Sequence, residues 1–128
     1  MLAIGEVARR AGLAPSALRY YERLGLLPEP RRDAGRRRYD DAILLRLRVI
    51  GFARECGFSL REIRQLFAGR PYSATLRSLA LRKLDEVARA IERFEAMQSL
   101  LRSALRCRCL THEQCARLLD GAPRRAGS

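Results

Sequence analysis

The sequence is poor in aromatic residues and contains no tryptophan. Aromatic residues make up 6% of its 128 residues, whereas hydrophobic residues of all kinds reach 48%, which is enough for a packed core. The scarcity of rings disfavours a large cofactor pocket lined by aromatic side chains. No apolar run approaches the roughly 20 residues of a membrane span, and residues 1–6 lack the basic and apolar segments of a signal peptide. We therefore expect a cytoplasmic protein.

Acidic residues are also scarce, because 14 of them stand against 26 basic residues and leave a formal net charge of +12. A protein this basic usually binds a polyanion, and nucleic acid is the first candidate. The alternative is that the positive charge serves only solubility. Every basic residue except Lys83 is arginine. We attribute that uniformity to the base composition of the genome and draw no function from it.

The sequence also lacks the residue sets of common enzymes. It has no Ser/His/Asp set, no phosphate-binding loop and no paired carboxylates at a recognisable spacing. A Cys-x-Cys pair is present, but no alternation of strands and helices typical of a thiol oxidoreductase surrounds it. We therefore expect no enzymatic activity. Thiols stay reduced in the cytoplasm, so the four cysteines indicate metal or redox chemistry more than structural disulfides.

Helical periodicity dominates the N-terminal part of the chain. It predicts a short helix over residues 3–11, ended by Gly12, and a second helix from about Pro15 to Leu24, ended by Gly25. Two short helices joined by a tight turn are typical of a helix-turn-helix. Residues 26–39 contain two prolines and an Asp-Ala-Gly turn, which predict a small β-hairpin, or wing.

Three further helices are predicted beyond the wing. Periodicity indicates helices over residues 41–55 and 60–68, the second beginning at a Ser59-x-x-Glu62 capping box. A break at residues 69–71 precedes a long helix over 74–106. Its apolar stripe has alternating spacings of three and four, as in a coiled coil, and consists of Leu84, Val87, Ile91, Phe94, Gln98, Leu101 and Leu105. We expect this seam to pair with a second copy of the chain; the alternative is packing on the N-terminal helices.

The predicted fold class is therefore mainly α, with a winged helix-turn-helix, a β-hairpin wing, a long dimerisation helix and a short cysteine loop. The corresponding divisions are residues 1–69 for the DNA-binding domain, 70–106 for the dimerisation helix, 107–120 for the effector loop and 121–128 for a disordered tail.

Basic and aromatic residues crowd the second helix and the wing. A helix in the major groove beside a hairpin across the phosphates would grip a duplex at two points. The candidate DNA-binding residues are Arg19, Tyr20, Arg23, Arg31, Arg36, Arg37 and Tyr39. One of the adjacent tyrosines, Tyr20 or Tyr21, is expected to belong to the core instead.

Three cysteines and the only histidine lie within nine residues after the long helix. Thiolates and imidazole suit soft or borderline metal ions, so Cys107, Cys109 and Cys115 are candidate ligands and His112 is a weaker one. We expect the adjacent Arg106 and Arg108 to favour the thiolate forms. Cys56 stands apart in the N-terminal part of the chain and is expected to be buried as a small apolar side chain.

These motifs resemble the MerR family of transcriptional regulators over roughly residues 2–120. The resemblance is carried by Ile4-Gly5-Glu6-Val7-Ala8, by Leu18-Arg19-Tyr20-Tyr21-Glu22-Arg23-Leu24-Gly25-Leu26-Leu27, by the wing from Arg31 to Tyr39, and by Gly57-Phe58-Ser59-Leu60-Arg61-Glu62-Ile63. The wing departs from the family in one position, because Arg36 stands where a tyrosine is frequent.

The resemblance implies a function and a mechanism. Such regulators bind, as antiparallel coiled-coil homodimers, to a palindrome in a promoter whose spacer is too long for productive contact by RNA polymerase. Effector binding then distorts the double-stranded DNA and realigns the promoter elements, at a deformation cost offset by contacts to the distorted duplex. By the same resemblance, Arg19, Tyr20, Arg37 and Tyr39 contact DNA.

Two branches of the family compete for the cysteine loop. Cys107 and Cys115 are separated by seven residues, as in coinage-metal sensors, which also carry serine where Ser73 stands at the start of the dimerisation helix. That resemblance implies Cu(I) first, then Hg(II) or Zn(II). The redox-sensing branch instead holds a [2Fe–2S] cluster with Cys-x-x-Cys-x-Cys-x5-Cys, whose first position here is Ala104. A redox sensor using such a cluster or thiol oxidation remains the alternative.

Overall fold

The computed structural model of the protein describes residues 1–120, and the tail expected over 121–128 lies outside the described residues. The chain divides into two compact units, the first ending at Leu84 and the second beginning at Asp85. In chain order the elements are β1 (Leu2–Ala3), α1 (Ile4–Ala11), α2 (Pro15–Arg23), β2 (Arg31–Asp33), β3 (Arg36–Tyr39), α3 (Ile43–Glu55), α4 (Leu60–Ala68), α5 (Tyr72–Arg106) and α6 (His112–Asp120).

The expected helix-turn-helix is confirmed in α1 and α2. Gly12 ends α1 in the left-handed region at φ 68°, where glycine has no Cβ to clash, and the chain reverses into α2. Pro15 occupies the start of α2, where its missing N–H is no loss. Val7 of α1 and Leu18 of α2 are both fully buried, so their contact with the core fixes the two helices.

The wing is a three-stranded antiparallel sheet with β3 in the centre. Asp33 pairs with Arg36 at the end of the hairpin, which leaves Ala34 and Gly35 as a two-residue turn. Both turn residues have positive φ, 52° and 79°, as hairpin turns that match the strand twist require. The third strand, β1, was not predicted: residue 3 was expected to begin the first helix, but it pairs with Arg38 of β3. Two residues are too few to show strand alternation.

The core of the first unit collects apolar side chains from α1 to α4 and from the wing. Its largest fully buried members are Tyr39, Leu18, Leu26, Ile50, Ile63 and Val7. This unit includes residues of α5, since Leu79 is buried and the ammonium of Lys83 lies 3.1 Å from the carboxylate of Glu62. The first turns of the long helix thus belong to the N-terminal unit.

The predicted capping box at the start of α4 is present. The Ser59 hydroxyl accepts a hydrogen bond from the Glu62 N–H at 3.1 Å, and the Glu62 carboxylate accepts one from the Ser59 N–H at 2.9 Å. These bonds hold the pKa of Glu62 below its ordinary value, the Ser59 N–H being the largest cause. Two of the N–H groups left free at a helix start are therefore satisfied by side chains of the box.

Replacing Ser59 by alanine is expected to lower the free energy of unfolding by about 1 kcal/mol, because the cap acceptor is lost. Urea denaturation followed by circular dichroism, at one protein concentration for all variants, measures the loss. Ser99→Ala is the matched control, since Ser99 is an exposed residue inside α5. Equal losses in the two variants would contradict a capping role.

Helix α5 has 35 residues, which corresponds to a length of about 50 Å at 1.5 Å per residue. Its predicted seam residues are exposed in the single chain, with Val87 at 43%, Ile91 at 52% and Phe94 at 57%. None of the helices formed by residues 1–120 is long and apolar enough to cross a membrane. The exposed seam therefore presents apolar surface of a kind that water disfavours.

Candidate DNA interface and metal centre

Helix α2 exposes part of its basic and aromatic cluster. Tyr20 is 45% exposed, and the guanidinium carbon of Arg23 lies 5.6 Å from the centre of its ring. Arg19 is half-buried on the same helix. Tyr21 packs against the core of the first unit, so one of the two adjacent tyrosines is a core residue, as expected. Tyr20, Arg19 and Arg23 remain available to a ligand.

The wing presents a second basic surface. Arg31 and Arg36 are exposed, and the turn between the strands is held by a hydrogen bond from Arg32 to the Gly35 carbonyl at 3.2 Å. Arg37 differs from them, because its Nε lies 3.3 Å from the Glu22 carboxylate and its side chain is only 28% exposed. Of the three candidate DNA-binding arginines in the hairpin, Arg31 and Arg36 are therefore open to solvent, whereas Arg37 is paired with Glu22.

The side chain of Tyr39 is not exposed, as a direct contact with DNA would require. It is 2% exposed, and its hydroxyl donates a hydrogen bond to the carboxylate of Glu22 in α2. Burial, with the bond to Glu22, raises the pKa of the hydroxyl well above its ordinary value, so the group stays protonated as a donor. The structure thus corrects the sequence-based role: Tyr39 joins the wing to α2 from inside the fold.

Glu22 is the residue of this region that the sequence analysis missed. Its carboxylate accepts from both Arg37 and Tyr39, which stand two positions apart on β3 and so share one face of the strand. The side chain is only 11% exposed. The one sign of this role in the sequence is that Glu22 is an acidic residue within the basic and aromatic segment 19–23. Because both partners belong to the wing, Glu22 fixes the wing relative to α2.

Three sulfur atoms converge in the second unit. The Sγ atoms of Cys107, Cys109 and Cys115 all lie within 4.8 Å of one another. Cys107 is exposed, and Cys109 and Cys115 are partly buried. Among the residues that the structure describes, this is the one group of three or more His, Cys, Asp or Glu side chains compact enough to hold an ion. We call it the sulfur cluster.

The end of α5 and the start of α6 position these sulfurs. Cys107 directly follows α5, and its N–H donates to the Ser103 carbonyl at 3.1 Å. Arg108 then takes a left-handed conformation at φ 52°, which turns the chain before Cys109. Cys115 lies in the first turn of α6, where its N–H donates to the Thr111 carbonyl at 3.3 Å. Each sulfur is therefore tied to a helix end or to the turn between them.

Helix α6 has nine residues and occupies the second half of the range predicted as the effector loop. Its start is capped by the Thr111 hydroxyl, which accepts from the Gln114 N–H at 3.3 Å. The Gln114 side chain in turn accepts from the Leu110 N–H at 2.8 Å. Thr111-x-x-Gln114 has the spacing of a capping box, and that signal was overlooked.

The thiols within the sulfur cluster influence one another. The pKa of Cys107 is lowered, chiefly by hydrogen bonds from the Cys109 N–H and thiol, and that of Cys109 is raised to about 12, chiefly by the Cys107 and Cys115 thiols. The sequence predicts this effect for Arg106 and Arg108, which flank Cys107. The largest causes instead lie inside the cluster, and Arg106 donates to the Ser103 hydroxyl at 3.2 Å.

Neither His112, the weaker candidate ligand, nor Cys56, the cysteine predicted to lie in the core, belongs to the sulfur cluster. The His112 side chain is 91% exposed, and its Nε2 lies 3.1 Å from the Glu113 carboxylate. Cys56 is exposed, so its expected burial in the core is wrong. The buried face of α3 is formed by Ile43, Leu47, Ile50 and Ala53. Cys56 is the C-cap residue that follows this helix, so its side chain does not continue the buried face.

The donor set of the cluster fits a single thiophilic ion. Three thiols converge on one point, and thiolates favour soft or borderline metals. A [2Fe–2S] cluster requires four protein ligands spread over two irons, and Ala104 stands where the fourth cysteine of that pattern would be. The sulfur cluster therefore matches one ion better than a two-iron group.

Comparison with known proteins gives consistent matches along the chain. Residues 2–70 match the family described as MerR HTH family regulatory protein, and residues 44–104 match the family described as MerR, DNA binding. A mercuric resistance operon regulatory protein of Bacillus cereus is 34% identical over 103 residues, which cover 77% of this chain and 78% of the relative. The HTH-type transcriptional regulator ZntR of Escherichia coli is 36% identical over 107 residues, covering 79% and 76%.

A solved structure agrees with the fold. The transcription regulator PbrR691 from Ralstonia metallidurans, in complex with lead(II), superimposes with a TM-score of 0.76 at 30% identity, covering 87% of this chain and 91% of that one. The helix-turn-helix, the wing and the long helix thus agree with the sequence matches. The chain belongs to the MerR family of helix-turn-helix regulatory proteins.

Proposed function

We propose that this protein is a homodimeric transcriptional regulator that binds a promoter palindrome and responds to a thiophilic metal ion held by its C-terminal cysteine loop. The observation that carries the proposal is the sulfur cluster, in which Cys107, Cys109 and Cys115 lie within 4.8 Å of one another directly after the long helix of a MerR-family chain. The relatives named for mercuric resistance and the structure bound to lead(II) support a metal effector.

The DNA-binding part of the proposal rests on α2 and the wing. Tyr20, Arg19 and Arg23 on α2 would meet base edges and phosphates in the major groove, while Arg31 and Arg36 would meet phosphates beside it. Arg37 is expected to attract the phosphates through its positive charge, while its ion pair with Glu22 fixes the position of its side chain. Tyr39 contributes by holding the wing, since its hydroxyl is buried on Glu22.

The dimer rests on the exposed seam of α5. Leu84, Val87, Ile91, Phe94, Leu101 and Leu105 stay open to water in the single chain, at exposures from 43% to 86%. A second copy packing antiparallel along this seam would bury them in knobs-into-holes contacts. Two DNA-binding units related by a two-fold axis would then match the two halves of a palindrome.

The coupling between metal and transcription would follow from DNA deformation. An ion bound at the end of α5 can change the geometry of the dimer only if it binds one geometry better than the other. The energy required to untwist and bend the promoter depends on its sequence and is offset by contacts to the distorted duplex. RNA polymerase would then engage promoter elements brought into register.

The spacing of Cys107 and Cys115, with Ser73 at the start of α5, favours Cu(I) as the effector, followed by Hg(II) or Zn(II). Elemental analysis and visible absorption of anaerobically purified protein, followed by competition titrations with these ions, test the assignment. Tight uptake of an ion that is lost on mutating the loop supports the proposal. A brown protein containing iron and sulfide would replace it with the redox alternative.

The wing gives a test of the DNA contacts. Replacing Arg36 by alanine is expected to weaken binding at every promoter sequence, because an exposed cation that meets phosphate is removed. The slope of log K against log salt should fall by about 1 for one lost phosphate contact. Arg89→Ala in α5 is the control, since Arg89 pairs with Asp85 at 2.9 Å and lies outside the proposed surface. An unchanged slope in Arg36→Ala would remove Arg36 from the interface.

A further inference from the structure

Lys83 is the one lysine in a chain with 26 basic residues. The base composition of a genome explains a uniform preference for arginine, but it does not explain the exception. A single lysine among so many arginines points to a site where a compact ammonium group is needed in place of a guanidinium.

The ammonium of Lys83 contacts two groups of the first unit. Its Nζ lies 3.1 Å from the carboxylate of Glu62 and 5.3 Å from the centre of the Phe58 ring. An ion pair and a cation–π contact can share one charge when that charge is compact. The guanidinium of arginine is planar and directs its donors in a fixed fork. The site therefore suits lysine better than arginine.

Lys83 is also the last residue by which α5 rests on the first unit. Thr75, Leu79 and Lys83 follow one another at intervals of four and so lie along one face of the helix. Thr75 is half-buried, Leu79 is 3% exposed and the side chain of Lys83 is 14% exposed. Val87, the next residue in this series, is 43% exposed and belongs to the predicted seam. The anchored face of α5 thus ends at Lys83.

Glu62 connects this anchor to the core of the first unit. Its carboxylate accepts from the Ser59 N–H at 2.9 Å and from Lys83 at 3.1 Å, so one side chain both begins α4 and holds α5. Ile63, the next residue of α4, belongs to the same buried core as Leu18 of α2. A displacement of α5 at Lys83 would therefore be passed through α4 to the core that carries α2.

We propose that Lys83 is the positioning residue through which the dimerisation helix moves the DNA-binding unit when the effector binds. Helix α5 runs without interruption from Tyr72 to Arg106, so a change at the metal loop reaches the first unit of the same chain along this helix. Apolar burial of Leu79 is non-directional and permits sliding, whereas the ion pair fixes α5 at one point. This role rests on the proposed function, because it presupposes a metal effector and a DNA target.

Lys83→Met tests this role, because methionine keeps an unbranched side chain and removes the charge. In transcription from the promoter with purified RNA polymerase and saturating Hg(II), the ratio of induced to basal transcript is expected to fall by about 2- to 30-fold. The affinity for Hg(II) and the affinity of the metal-free protein for promoter DNA should remain those of the wild type. Arg82→Met is the matched control, since its exposed neighbouring side chain loses the same charge and should keep the full ratio.

Glu62→Gln removes the ion pair from the other side. Glutamine also serves at this position of a capping box, so α4 should keep its start while Lys83 loses its partner carboxylate. The induction ratio should fall as in Lys83→Met. Combining the two substitutions should cause little further loss, because both act through one contact. If Lys83→Met fails to fold by circular dichroism, Glu62→Gln decides alone.

The outcomes separate this role from the proposed function. A full induction ratio in Lys83→Met or in Glu62→Gln would overturn the role of Lys83 and leave a metal-responsive regulator intact. Weaker promoter binding by metal-free Lys83→Met would assign Lys83 to a phosphate contact if the salt slope fell by about 1, and to folding of the first unit if it did not. Either result would reject the proposed role. A wild type that responds to none of Hg(II), Cu(I) or Zn(II) would overturn both.

Discussion

Replacing Cys107 or Cys115 by serine is expected to abolish metal-induced transcription while leaving the affinity for promoter DNA unchanged. Each substitution removes one sulfur from the cluster, and a hydroxyl is a poor ligand for a soft ion. The proposed DNA-binding residues all precede Leu84, in the other compact unit. A coupling free energy of about 1–3 kcal/mol, which corresponds to a 5–150-fold change, would therefore be lost.

A promoter–reporter assay with and without metal measures induction, and a gel-shift titration at fixed salt measures DNA affinity. Cys56→Ser is the matched control, because Cys56 is exposed yet lies outside the sulfur cluster. It should retain full induction. Induction surviving in both loop variants would exclude these cysteines as the sensor, whereas lost DNA binding would show that they support the fold.

Local signals account for the parts of the fold that the sequence predicted. Gly12 ends α1 because its left-handed conformation suits glycine, and Ser59 with Glu62 begins α4 through two reciprocal hydrogen bonds. The hairpin follows from Ala34-Gly35, the two positions that take positive φ. Each of these features depends on residues within a few positions of one another, so a sequence displays them directly.

Contacts between residues far apart in the sequence could not be predicted from such local signals. Tyr39 and Glu22 stand 17 positions apart, and their hydrogen bond decides that Tyr39 faces the core. The residues next to this tyrosine in the sequence do not indicate whether its side chain faces the core or the solvent. The family resemblance suggested a DNA contact, and burial at 2% exposure corrected it.

The sequence predicted which cysteines form the sulfur cluster but not how their sulfur atoms are arranged. The sequence shows three cysteines near one another, yet their convergence depends on the turn at Arg108. Arginine seldom adopts a left-handed φ, and no glycine stands at this position to indicate a turn. The turn could therefore not be predicted from the sequence. The same limit applies to His112, which lies between the cysteines in sequence while its side chain points to Glu113 and water.

Replacing Ile91 by aspartate in α5 is expected to dissociate the proposed dimer and thereby to weaken binding to the proposed palindrome. Ile91 lies near the middle of the seam and is 52% exposed in the single chain, so the cost of the new charge arises only where a second chain covers it. Loss of bivalent engagement lowers the affinity for the full palindrome by about 10²–10⁴-fold, because each DNA-binding unit must then bind alone.

Sedimentation velocity measures the oligomeric state, and titration of a full palindrome against a single half-site measures bivalency. Arg89→Asp is the control: Arg89 lies about half a turn away from Ile91 around α5, and its side chain is 77% exposed. That variant makes a larger change in charge yet should remain dimeric. If Ile91→Asp also remained a dimer with unchanged preference for the palindrome, the seam would not be the interface. The exposed apolar stripe of α5 would then need another partner, because a monomer leaves it in water.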